Sequence, residues 1–145
     1  MNGLKIFFAV LFASMISGCS SDTGADEERQ PTIMLSDISG VWVEYAYLCS
    51  DGYFVDISGT GNEVFFDFGI NYTFTKYTVD SDGKKDIVTQ GKWNFDASNQ
   101  TAHIEEPQGW NLDISFVFSE TDNATMTIKG RSSSEIIKAK KLSQQ

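Results

Sequence analysis

Residues that commonly perform chemistry are sparse in this chain. His103 is the only histidine, so any serine–histidine or cysteine–histidine pair would have to use it. The short strand predicted around it turns Ala102 and Ile104 towards the core, which places His103 on the outer surface. A single histidine also supplies too few ligands for a zinc site. We therefore expect a protein that performs no catalysis and holds no metal or cofactor.

Two acidic stretches contain ligand-binding residue types, but each has a simpler interpretation. Asp80–Gly83 could offer carboxylates to calcium, but Gly91 stands where an EF-hand loop needs its bidentate glutamate, so a hairpin turn is favoured. Glu105 and Glu106 precede Trp110, which combines acids with an aromatic platform, as in sugar sites. Neighbouring residues of a strand face opposite sides, so the two acids cannot flank one glycosidic bond, and a solvated loop is favoured.

The chain has two cysteines, and their surroundings differ. Cys49 has no Lys, Arg or His beside it in the sequence to lower the pKa of its thiol. A small buried hydrophobe is the favoured interpretation, and a reactive thiol is the alternative. Cys19 ends an apolar segment, which gives it another role.

The N-terminal segment has the layout of a secretory signal. Lys5 is its only charge, and an apolar run follows from Ile6 to Ile16. This run has 11 residues, whereas a membrane-spanning helix needs about 20. We therefore expect a cleaved leader and no permanent transmembrane helix.

The sequence Ile16-Ser17-Gly18-Cys19 resembles the lipobox of bacterial lipoproteins. The resemblance implies that residues 1–18 are removed and that Cys19 becomes the first residue, with acyl chains on its thiol and amine that hold it in a membrane. It also implies a place in the cell envelope. Ser20 is compatible with the outer membrane, and the periplasmic or surface face stays open. The alternative is an ordinary signal peptide with a chance cysteine.

The net charge of the chain limits the classes of partner that it can bind. The chain carries a net charge of −9 and Lys5 leaves with the leader, so the mature chain carries −10. It would repel phosphate and has no basic groove, so we expect no nucleic-acid partner. Membrane contact should come through the lipid.

Three segments follow from these observations. Residues 1–18 are the leader, residues 19–37 an acidic, lipid-anchored tether, and residues 38–142 the folded domain. Residues 20–30 are small, polar and acidic, which is typical of a flexible linker. Residues 32–37 could add a short turn of helix.

From Ile38 onward the composition is typical of an antiparallel sheet. Short runs rich in Val, Ile, Thr, Phe, Tyr and Trp are separated by Gly, Asn, Asp and Ser. The runs are 40–48, 53–58, 63–68, 71–79, 86–95, 101–105, 110–118, 124–129 and 135–142. The second and third runs could be one interrupted strand, which would make eight.

Alternation gives each run one apolar face. Val64, Phe66 and Phe68 share one face of their run. The same holds for Tyr72 with Phe74, for Ile87, Gly91, Trp93 and Phe95, for Leu112, Ile114, Phe116 and Phe118, and for Met126 with Ile128. Half-buried strands joined by tight turns predict an all-β, eight-stranded, antiparallel up-and-down barrel.

Two short motifs resemble those of the lipocalin-like domains on lipoproteins of Bacteroidetes-type bacteria. Ser39-Gly40-Val41-Trp42 is similar to the Gly-x-Trp opening of lipocalins, and Gly91-Lys92-Trp93 is similar to their mid-chain Gly-x-Trp strand. The apolar and basic run 136–142 matches the last strand. The resemblance implies a lipocalin-like barrel. Physically, Trp42 would plug one end of the barrel while Gly40 lets the chain pass beside it; Gly91 and Trp93 are likewise structural.

Two functions remain nearly equal, with an enzyme a distant third. The first is a binding module that holds a small apolar or amphipathic ligand, and the second is an interaction protein that docks an envelope partner or a glycan through its outer surface. The many aromatic residues could fill the barrel or line a cavity. If a cavity exists, it should lie at the open end of the barrel. The candidate lining residues, chosen from strand position, are Tyr45, Tyr47, Tyr72, Phe74, Trp110 and Phe116.

Overall fold

The computed structural model describes residues 32–109 and 111–143. From Ile33 onward the chain is one compact unit. The elements of the described residues are α1 (Leu35–Ile38), β1 (Gly40–Leu48), β2 (Phe54–Asp56), β3 (Val64–Phe68), β4 (Thr73–Val79), β5 (Lys85–Asp96), β6 (Thr101–Glu105), β7 (Asn111–Glu120), β8 (Asn123–Lys129) and β9 (Ser134–Lys141).

Eight of the strands close into an antiparallel barrel, which confirms the predicted fold class. From β3 to β9 each strand pairs with the next along the chain, β1 pairs with β3, and β9 pairs back onto β1. The closing pair runs from Trp42 opposite Lys141 to Tyr47 opposite Ile137. Closure gives every barrel strand two neighbours, so no free sheet edge runs the full height of the barrel.

The short strand β2 is an addition to this barrel. It pairs with the end of β1, at Ala46–Leu48, whereas β3 pairs with the beginning of β1, at Gly40–Val43. Since β9 occupies the opposite edge of β1, β2 and β3 must share one edge. Together they follow β1 as an interrupted strand, the alternative that the sequence had suggested for these two runs.

Inward-facing side chains fill most of the barrel. Buried residues alternate along the strands as the sequence predicts, with Phe66 and Phe68 on β3, Ile114 and Phe116 on β7, and Met126 and Ile128 on β8. Phe68 lies at the centre of an aromatic cluster, and its ring contacts those of Phe74, Trp93 and Phe116 at centroid distances of 5.1–5.7 Å. Edge-to-face and tilted contacts of this kind add to the burial energy.

The predicted alternation fails at two places. Ile87 was placed on the inner face with Trp93, but its side chain is 53% exposed. β5 bulges between Ile87 and Thr89, and β6 pairs with it only from Lys92 onward, so the first half of β5 extends beyond the barrel wall. Tyr72 was placed beside Phe74, but it lies in the preceding turn with φ 62° and is 52% exposed.

The segment before β1 covers one end of the barrel, which we call the closed end. Ile33 and Ile38 belong to the hydrophobic core, so the packed structure begins before residue 38. Trp42 is fully buried there, and its indole N–H donates to the carbonyl of Ile38 at 2.8 Å. This position agrees with the plug predicted for Trp42.

Lys141 joins the last strand to this closed end. Its ammonium group donates to the carbonyls of Ser36 and Asp37 at 2.9 and 3.0 Å and lies 5.8 Å from the centroid of the Trp42 ring. Gly40 has φ +122°, and a Cβ there would lie 3.0 Å from Cε of Lys141. The glycine is therefore needed for its backbone conformation and for the passage of the lysine side chain.

Gly91 and Trp93 fix the contact between β5 and β6. A Cβ on Gly91 would collide with the backbone carbonyl of Glu105 on β6. Trp93 is 3% exposed, and its indole N–H donates to the carbonyl of Gly69 in the turn before β4, at 3.0 Å. Both residues therefore contribute to the packing of β5 against its neighbours.

Candidate functional site

A cavity of about 590 Å³ lies at the end of the barrel opposite Trp42, which we call the mouth. The end of β1 and the beginnings of β3 and β9 meet there because neighbouring strands are antiparallel. This volume lies within the range of about 300–1,000 Å³ that is typical of small-molecule sites. The lining residues are Glu44, Tyr47, Leu48, Cys49, Ser50, Val64, Lys76, Ser134, Glu135, Ile136 and Ile137.

Glu44 faces the inside of the barrel because it shares the inward face of β1 with Trp42 and lies opposite the buried Ala139 of β9. Its side chain reaches the cavity, although the residue is only 8% exposed. Within the described residues, no hydrogen bond or ion pair is made to its carboxylate. No fully enclosed side-chain oxygen of the described residues lacks a partner, so the Glu44 carboxylate is reached from the open cavity. A glutamate at an inward position beside the core is nevertheless unusual, because partial loss of hydration is costly for a charged group.

Burial raises the pKa of Glu44 from 4.5 to about 7. Loss of hydration is the largest cause, since it disfavours the charged form. The ammonium of Lys76 acts in the opposite direction, and the carboxylate of Glu135 raises the pKa further. Near neutral pH the mouth therefore contains a carboxyl group that is poised between its two protonation states.

Lys76 enters the barrel from β4, where it lies opposite Phe66 of β3. Its ammonium group is 5.5 Å from the centroid of the Phe66 ring, within the distance at which a cation is attracted by an aromatic face. It interacts with Glu44 through its charge, without an ion pair of 4 Å or less. The cavity thus has two acids, one base and an apolar floor that includes Ile137.

The rim of the cavity carries Tyr47 and Cys49. Cys49 is a half-buried free thiol. The pKa of Tyr47 is raised, chiefly by the charge interaction with Cys49 and next by the hydrogen bond between the two side chains. A turn holds this rim, since the backbone N–H of Gly52 donates to the carbonyl of Cys49 at 3.0 Å. The rim therefore offers weak hydrogen-bonding groups beside the interior charges.

The structure separates the candidate lining residues. β1 bulges between Glu44 and Ala46, so Tyr47 turns to the inner face opposite Ile137 and lines the mouth cavity. Tyr45, before the end of this bulge, is half-buried and does not line the cavity. Phe74 and Phe116 are each 1% exposed inside the aromatic core, and Tyr72 packs against Trp93 in the turn before β4. Trp110 lies outside the described residues.

Glu44 and Lys76 escaped the sequence analysis, although a signal for both was present. Each lies on the same face of its strand as a buried aromatic residue two positions earlier. That residue is Trp42 for Glu44 and Phe74 for Lys76. A charged residue at an inward position of a predicted barrel strand is a functional candidate because burial there is expensive.

His103 lies on the outer face, as predicted. Its Nδ1 is 2.7 Å from a carboxylate oxygen of Asp113 on β7. The pair lines a shallow polar depression of about 410 Å³ together with Asn94 and Asn111. Residues 32–109 and 111–143 contain no group of three His, Cys, Asp or Glu residues that could hold a metal ion.

The two acidic stretches have ordinary local structure. The Asp80 carboxylate accepts hydrogen bonds from the backbone N–H groups of Asp82 and Lys84, at 3.0 and 2.8 Å, and so closes a hairpin turn. Glu105 ends β6 and is exposed, while Glu106 begins the following turn and is half-buried.

Comparisons with known proteins gave no match, either to a family model or to a curated protein. Among the residues that the structure describes, no helix has the length and apolar character needed to cross a membrane. The leader, Cys19 and the tether up to residue 31 lie outside the described residues.

Proposed function

We propose that this protein is a non-catalytic binding module, anchored by lipid in the cell envelope, whose barrel holds a small apolar or amphipathic ligand at its mouth. The observation that supports this proposal most strongly is the mouth cavity, where the charged groups of Glu44 and Lys76 lie beside apolar side chains such as Val64 and Ile137. A barrel of eight strands is wide enough to hold one small ligand when its interior is incompletely filled.

The combination of cavity and core supports binding at one end only. Aromatic residues fill the barrel from the closed end to its middle, which leaves space above Phe66 and Ile137. An apolar tail could lie against Val64 and Ile137, with the head group beside Glu44 and Lys76. Pockets that combine apolar walls with a few placed polar groups are typical of small-molecule sites.

Mass spectrometry of the gently purified chain tests this function. The chain from residue 20 onward keeps the whole barrel and lacks the lipidated cysteine. We expect native mass spectra to show a co-purifying small molecule that is lost on denaturation. A folded barrel that carries no adduct and takes up none of a set of added amphiphiles would contradict the proposal.

The lipid anchor remains part of the proposal, on the basis of residues 16–19 alone. We expect the Cys19→Ala variant to leave the membrane fraction, whereas Ser20→Ala should remain there. Retention of Cys19→Ala in membranes after a wash at high salt would argue against lipidation. The proposal includes the outer membrane as the location, on either face, because Ser20 after the cysteine is compatible with it.

The exposed strand β2 favours a second candidate function, in which the outer surface docks an envelope protein. Tyr53 is 75% exposed, and Phe54 and Val55 are each nearly 40% exposed, so an apolar patch lies beside the mouth. We expect Tyr53→Ser with Val55→Ser to remove a specific species cross-linked to the protein in cells. Equal cross-linking by this variant and by Val117→Ser, on another strand, would exclude the patch.

A further inference from the structure

We propose that the mouth cavity selects amphipathic ligands with a cationic amine head group, and that Glu44 is the residue that binds the amine. This inference rests on the proposed function, since it names the ligand class of the same cavity. It follows from a glutamate that is only 8% exposed as a residue, and whose carboxylate reaches the open cavity and accepts no hydrogen bond from the described residues.

An amine satisfies what Glu44 lacks. A buried carboxylate gains most from a donor that is itself charged, because charge-assisted hydrogen bonds are about twice as strong as neutral ones. Among the described residues none donates to this carboxylate, and the ammonium of Lys76 lies over the ring of Phe66 without an ion pair to Glu44. The empty volume beside Glu44 is therefore the place where a donor can enter.

The charges around the cavity also favour a cationic head group. Glu44 on β1 and Glu135 on β9 oppose one cation, Lys76 on β4, while Tyr47 and Cys49 contribute the polar groups at the end of β1. The site is thus negative when Glu44 is ionised. The whole chain is also acidic, with a net charge of −9, so the long-range field attracts cations.

The competing ligand class is a carboxylate amphiphile held by Lys76. Its head group would lie among two acids, and like charges in a partly desolvated site are strongly unfavourable. A neutral alcohol would pair with Glu44 less strongly than an amine would. The order of affinity expected at pH 8 is therefore amine, then alcohol, then carboxylate.

Displacement of Nile red by three amphiphiles with the same tail provides the test. Decylamine, decanol and decanoate are titrated into the chain from residue 20 onward, each below its micelle concentration. At pH 8 we expect decylamine to bind at least about tenfold more tightly than decanol, a difference typical of one charged hydrogen bond. Tighter binding of decanoate, or equal binding of all three, would overturn the inference and leave the proposed function intact.

The pH dependence assigns the effect to Glu44. Alkylamines stay charged throughout, so decylamine affinity should rise about tenfold from pH 6 to pH 8 as Glu44 ionises around pH 7. Glu44→Gln should abolish that rise and leave decanol affinity within about twofold, while Glu105→Gln, at an exposed position outside the cavity, should keep it. An unchanged rise in Glu44→Gln would overturn the assignment. Binding of no probe to a barrel that circular dichroism shows to be folded would overturn the proposed function itself.

Discussion

Glu44 is the residue at which the requirements of folding and of binding conflict most clearly. On the inward face of β1 it follows Trp42, which stabilises the barrel by burial. A carboxylate in the same row costs free energy whenever it ionises, since no described residue offers it a hydrogen bond. Such a residue is consistent with a site that a ligand completes.

The free energy of unfolding should reveal this cost through its pH dependence. Because the pKa of Glu44 is raised in the folded state, the folded protein binds more protons than the unfolded chain between pH 4.5 and pH 7. Its contribution is therefore present in full below about pH 4.5 and is lost as the pH rises through 7. We expect Glu44→Gln to be more stable than the parent by about 2 kcal/mol at pH 8, with a much smaller difference at pH 4.5.

Urea unfolding at the two pH values measures this difference. Glu105→Gln is a suitable control because Glu105 is exposed and lies outside the cavity, so it should change the free energy of unfolding little at either pH. A Glu44→Gln variant that is less stable than the parent at pH 8 would show that the carboxylate is satisfied in the folded protein.

Single residues were predictable where their role depends on local pattern. The Gly-x-Trp spacing placed Trp42 in the core, and parity placed Phe66, Ile114 and Met126 there. The lining of the mouth was not predictable from strand position alone, because it depends on how far the core fills the barrel. Phe74 and Phe116 pack into that core, which ends below Glu44 and Lys76.

At the scale of the strands, the close contact between β5 and β6 restricts which residues can occupy position 91. The backbones approach so closely at Gly91 that the Glu105 carbonyl occupies the position of a Cβ. The pairing of β5 with β6 begins at the next residue, Lys92. A displaced backbone there would disturb the packing of Trp93, on which the aromatic core depends.

Gly91→Ala should therefore destabilise the barrel by about 2 kcal/mol, because overpacking against backbone is not easily relieved. Gly130→Ala is a matched control, since the nearest atom to its Cβ is the mobile Oγ of Ser133 at 3.1 Å. Thermal unfolding followed by circular dichroism compares the two. Equal stability of Gly91→Ala and the parent would mean that β5 and β6 can separate at no cost.

Strand bounds were predictable to within about two residues, but strand irregularities were not. Alternation cannot indicate where a β-bulge reverses the faces, as it does between Ile87 and Thr89. It also cannot show that β5 continues past its neighbour β6. Both depend on pairing between strands, which a single sequence does not contain.

For the whole molecule, the two ends of the barrel have different roles. The closed end is held by Trp42, by α1 and by Lys141, whose ammonium donates to two carbonyls of the preceding segment. The mouth is lined instead by charged and apolar residues around a cavity. A stable core at one end allows the other end to remain incompletely packed, which is the arrangement that a binding module requires.

The central claim is that the mouth cavity is the binding site, and filling it is the most direct test. Val64 lines the cavity and is half-buried, so the larger ring of Val64→Trp should fill the cavity. The control Val117→Trp adds the same ring at an outer position that is 67% exposed. In titrations with Nile red, we expect saturable binding by the parent and by Val117→Trp, and an affinity at least about tenfold lower in Val64→Trp, or ~1.4 kcal/mol. Equal affinity in all three folded proteins would contradict the claim.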